Sequence, residues 1–77
     1  MIKFHTVTYG HLLVCDIKVS CGSDDDRVVR EIITNMNIKY DFIHGYNEIN
    51  YYHLHYEKDF NYIKAKYRSY KIDLILK

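Results

Sequence analysis

His53 and His55 stand two residues apart in the run "NYYHLHYEKDFNYIKAKYRSYK" (residues 50–71). In an extended chain, side chains two apart project from the same face, about 7 Å from one another. Two imidazoles so placed can share a Zn²⁺ ion, which takes three or four ligands at about 2 Å. A further ligand would have to come from His5, His11, His44, Cys15 or Cys21. The cysteine spacing is wider than the usual zinc-binding pair, and Cys15 falls on an apolar strand face. The plainer reading is two half-exposed strand histidines, so no metal or other cofactor is expected.

The same run interleaves cations with aromatic rings. Tyr62, Lys64, Lys66, Tyr67, Arg68 and Lys71 combine groups that neutralise phosphates with faces that stack on unpaired bases. This makes nucleic-acid binding the second functional reading. No recognised nucleic-acid motif accompanies it, and a net charge of +1 supplies no general field for a polyanion. The competing reading is lysines that keep a strand edge from aggregating.

Tyrosine is in excess, with nine in 77 residues, more than a small core requires. Tyrosine is enriched at protein interfaces, where it offers a large rigid contact and a hydroxyl. Tyr51, His53 and His55 share one strand face. With Tyr62 beside them and Lys64 and Lys66 as a rim, they are the expected protein contacts. Strand propensity and an A/T-rich codon bias, which favours Ile, Lys, Asn and Tyr, account for part of the excess. The chain holds no Gly-rich phosphate loop, G-x-S-x-G or H-E-x-x-H pattern. An enzyme is therefore not expected.

These groups must be positioned by a single small domain, residues 1–77, whose one core gives only a few kcal/mol of stability. "IKFHTVTY" and "HLLVCDIKV" alternate with period two around Gly10 and predict a hairpin. Leu13, Cys15, Ile17 and Val19 take one face of it, Asp16 and Lys18 the other. "SDDDRVVREIITNM" changes period. Ser23 caps, three aspartates meet the positive end of the helix dipole, and apolar residues recur every three or four positions. A helix over about 24–36 follows, and the acidic run is read as its cap. Ile38, Tyr40 and Phe42 then alternate with Lys39 and Asp41. After a turn at Gly45 and Asn47, Tyr52, Leu54 and Tyr56 alternate with Tyr51, His53 and His55.

Residues 60–70 fit two patterns. As a helix, Phe60, Ile63, Tyr67 and Tyr70 form a stripe behind Asp59. As a strand, the aromatic content is better served, and strand is the preferred reading. The closing segment from Tyr70 reads as a last strand. The expected fold is α+β: a hairpin, one helix, then three to four antiparallel strands with the helix on one sheet face.

Two cysteines, no leader-like segment and no long apolar run lead to an expected cytoplasmic protein without a membrane span. The functional expectation is a small protein-binding module, phage- or virus-encoded, that inhibits or modulates a host protein. Homodimerisation through the open sheet face or an edge strand is the commonest way to hide that face.

Overall fold

Alternating apolar residues in the first twenty positions fix a hairpin with two unlike faces. In the computed structural model, which describes residues 1–76, β1 (Ile2–Tyr9) and β2 (Leu12–Ser20) pair antiparallel from Ile2↔Val19 to Tyr9↔Leu12. Gly10 turns the chain at φ +59°, a left-handed conformation that suits glycine at a tight hairpin turn. Cys15, Ile17 and Val19 are buried on one face of β2.

The helix α1 (Asp24–Met36) begins and ends where its caps dictate. The Ser23 hydroxyl accepts from the Asp26 N–H at 3.2 Å, and Asn37, at φ 52°, closes the helix. Val28, Val29 and Ile33 are buried. Strands β3 (Tyr40–His44) and β4 (Ile49–Leu54) then form a second hairpin. β4 inserts against β2, with register from Cys15↔Leu54 to Ser20↔Ile49, so the antiparallel order is β1-β2-β4-β3.

The second half departs from expectation. Among the described residues two strands, not three or four, follow α1, and there are two helices, not one. Residues 60–70, read as a strand, lie in α2 (Glu57–Leu76), as does the closing segment read as a last strand, apart from Lys77, which lies outside the described residues. Two physical reasons favour the helix. β4 is paired on both sides, so a strand following it directly has no free neighbouring edge. Phe60 and Ile63 are both buried, and residues three apart share a face on a helix but not on a strand. Tyr56, grouped with Tyr52 and Leu54 as core, is exposed because the strand stops at Leu54.

Both helices lie on the same side of the sheet. Val29 and Ile33 of α1 and Phe60 and Ile63 of α2 join Cys15, Ile17, Val19, Tyr52 and Leu54 in one core. Phe4 meets Phe60 edge-on at 5.9 Å, which seats α2 near β1. Phe42 lies against Tyr52 at 5.2 Å, and the Arg30 guanidinium sits 5.4 Å from the Phe42 ring centroid, which seats α1 near β3. No helix among the described residues is long and apolar enough to cross a membrane.

The acidic run does more than cap. Asp26 is 4% exposed and lies against β4. Its Oδ1 accepts from the Tyr52 hydroxyl at 2.5 Å and from Asn50 Nδ2 at 3.3 Å. Its Oδ2 accepts from the Gly22 N–H at 3.4 Å and faces Arg30 Nε at 3.3 Å. Asp25 instead reaches α2, accepting from the Tyr67 hydroxyl at 2.8 Å with Lys71 Nζ at 3.2 Å. Adjacent aspartates thus tie α1 to the sheet and to the other helix.

Burial alone would raise the Asp26 pKa. The hydrogen bonds from Tyr52 and Asn50, the Arg30 charge and the Gly22 N–H outweigh it and hold the carboxyl below its usual value. A carboxyl lowered by folding stabilises above its unfolded pKa, about 3.9, and that contribution is lost as pH falls through the folded value. The urea midpoint should therefore drop below about pH 4 in the wild type and drop less in Asp26→Asn. Asp26→Ala, which strands two buried donors, should cost about 2–3 kcal/mol in the same measurement.

Candidate functional site

Because both helices lie on one side, no element among the described residues covers the sheet's other side, and strand register decides which residues meet there. One row across the strands reads Lys3, Lys18, Tyr51, Ile43. The next reads His5, Asp16, His53, Asp41. These are the positions whose neighbours in sequence point into the core, as Ile17 and Tyr52 do.

Tyr51 sits at the centre. Three shallow depressions mark this face, and its side chain lines all of them. One, about 480 Å³, lies among Lys3, His5, Asp16 and Lys18. A second, about 400 Å³, is bounded by Asp16, Ile43 and His53. The third, about 780 Å³, runs from Lys18 and Ile43 to Tyr46 on the β3–β4 loop. Lys18 Nζ lies 5.6 Å from the Tyr51 ring centroid, a contact worth about 0.5–1 kcal/mol at an exposed site. The ring also packs on the backbone of Gly45, and the loop is closed by the Gly45 N–H donating to the Ile49 carbonyl at 2.8 Å.

The histidines are held by carboxylates. His53 Nδ1 lies 2.8 Å from Asp16 Oδ1, and His55 Nε2 lies 3.1 Å from Asp41 Oδ2. An ionised carboxylate only accepts, so the imidazole nitrogen facing it carries the hydrogen. The two rings are 6.4 Å apart, centroid to centroid. The remaining candidate ligands do not gather around them. Cys15 is buried, and burial, with the Glu57 and Asp16 charges, pushes its thiol pKa up. His44 Nδ1 is engaged with Asn50 Oδ1 at 2.8 Å. Among the described residues no three His, Cys, Asp or Glu side chains are grouped to hold a metal ion.

The expected contact set is split by the fold. Tyr51, His53 and His55 come together on the open side. Tyr62, Lys64 and Lys66 are on α2, in the helical layer on the far side of the sheet, where Lys66 Nζ lies 5.7 Å from the Tyr62 ring centroid. The residues of the nucleic-acid reading, Tyr62, Lys64, Lys66, Tyr67, Arg68 and Lys71, share that helix. Two of them are occupied by the fold: Tyr67 and Lys71 both bind Asp25.

Tyr46 was not among the expected residues, yet it is 95% exposed. It precedes two consecutive non-glycine residues with positive φ, Asn47 at 63° and Glu48 at 57°. Such conformations cost energy and cluster at functional loops. The signal was present as an aromatic inside a turn, where backbone runs over the surface.

Alanine at position 45 would place its Cβ 2.6 Å from Tyr51 Cε2. The ring is the movable partner, so Gly45→Ala should shift the Tyr51 ring resonances and weaken the Lys18 contact while changing stability by about 1 kcal/mol or less. NMR of the tyrosine rings checks this; unchanged Tyr51 shifts would mean that the ring does not rest on the loop. No family model, curated protein or solved structure gives a significant match to the chain.

Proposed function

We propose that the chain is a non-catalytic module that docks a protein partner on the open face of its sheet, with Tyr51 as the central contact. The observation that carries this reading is the position of Tyr51 at the junction of three depressions on a face that neither helix covers. Interface energy concentrates in such central aromatic residues, ringed by contacts that exclude water. Ile43, 61% exposed, and Tyr46 extend the patch on one side. His53 and His55, oriented by Asp16 and Asp41, border it on another. A phage- or virus-encoded inhibitor of a host protein, acting in the cytoplasm, remains the biological setting that size and composition favour.

Charge distribution favours protein over nucleic acid as the partner. Asp16 and Asp41 lie within the open face and oppose a phosphate backbone there. On α2, Tyr67 and Lys71 are committed to Asp25.

Affinity capture from an extract of the organism that carries the gene, with and without nuclease, tests the reading. A protein should be recovered in both cases. Tyr51→Ala should weaken its retention by about 30-fold, the effect of losing a hot-spot residue. Reversing Lys64 and Lys66 to glutamate should leave it unchanged. Nuclease-sensitive recovery that depends on Lys64 and Lys66 and not on Tyr51 would replace this reading with nucleic-acid binding.

A further inference from the structure

We infer that the open face selects an acidic segment of its protein partner, with partner carboxylates seated on the Lys3–Lys18 pair and an adjacent apolar or aromatic side chain on Tyr51. The inference rests on the proposed docking role of this face and names the chemistry of what docks.

Two lysines form a pairing that folding alone does not favour. Lys3 and Lys18 are directly opposite one another in the β1–β2 ladder, with side chains on the open face. Like charges so placed destabilise an antiparallel pair. Among the described residues neither ammonium group has a carboxylate within ion-pair distance. The nearest acid in the ladder, Asp16, is engaged by His53. Two cations therefore face the same depression of about 480 Å³, with His5 and the His53-engaged Asp16 also in its lining, and neither cation is ion-paired among the described residues.

The surroundings define what fits. Tyr51 walls this depression and the larger one leading to Tyr46, so an anion bound at the lysines has an aromatic surface next to it. Lys18 already lies toward the Tyr51 ring, which holds its charge at the boundary between the two. A short acidic peptide carrying an apolar residue matches this sequence of charge then ring. A nucleic-acid strand matches it less well, because its charge recurs at every nucleotide and would meet Asp16 and Asp41 in the next row, whereas a peptide can place one or two carboxylates at the lysines and neutral residues beyond them. Charge complementarity of this kind sets partner choice and association rate.

The test uses the full chain and an array of hexapeptides that each carry two glutamates next to one aromatic or aliphatic residue, the other positions being neutral. Lysine-rich counterparts and a single-stranded oligothymidylate of equal charge serve as controls. The acidic peptides should be retained at least about tenfold better than either control, and less so as salt rises. Lys3→Gln combined with Lys18→Gln should remove that preference, whereas Lys64→Gln with Lys66→Gln should not. Lys3→Gln alone, which leaves the Lys18–Tyr51 contact in place, should also raise the melting temperature of the free chain by relieving repulsion. No acidic preference, a preference indifferent to Lys3 and Lys18, tighter retention of oligothymidylate, or a lowered melting temperature would each overturn the inference. If a captured natural partner depends on Tyr51 but not on the lysines, the docking role stands and this inference fails.

Discussion

Burial is one-sided in this molecule, and everything else follows from that. β2 and β4 are the inner strands, and each has one apolar side: Cys15, Ile17 and Val19 on the first, Tyr52 and Leu54 on the second. Pairing them places those side chains on a common surface. Since strand side chains alternate strictly, the same pairing sends Asp16, Lys18, Tyr51 and His53 to the opposite surface together. The two helices among the described residues both pack on one side. The composition of the uncovered side is thus dictated by the register of the covered one.

That register is held by an unusual anchor for so small a core. Asp26 lies buried between α1 and β4 and is satisfied by Tyr52, Asn50, Gly22 and Arg30. A buried carboxylate is costly unless its lone pairs are met. Here they are met by groups on both strand and helix, so a slip of β4 by one residue would lose the hydrogen bonds and turn Tyr51 inward at once. The candidate site and the anchor are therefore coupled through adjacent residues of one strand, Tyr51 facing out and Tyr52 facing in.

Local patterns exposed the hairpin, the bounds of α1 and the outward set Tyr51, His53 and His55. In each case period or cap chemistry acts within a few residues. Longer-range constraints were hidden. Nothing within "FNYIKAKY" says that β4 will be flanked on both sides, which is what denies the segment a place as the next strand. Its aromatic residues raise strand propensity, but Phe60 and Ile63 are needed in one core and tertiary packing prevails. The aspartates after Ser23 were legible as a cap, while the attachments of Asp25 to Tyr67 and Asp26 to Tyr52 span about forty and twenty-six residues and leave no local trace. Tyr46 escaped because loop aromatics carry no periodic signal.

In the free chain the sheet should have one covered and one open side. Paramagnetic relaxation by a soluble gadolinium chelate, read by NMR in dilute solution, measures this directly. Side-chain signals of His5, Tyr46, Tyr51 and His53 should broaden strongly, while those of Ile17, Tyr52 and Ile63 stay sharp. Protection of Tyr51 and His53 equal to that of Tyr52 would contradict the account, because the proposed docking face would then already be occupied.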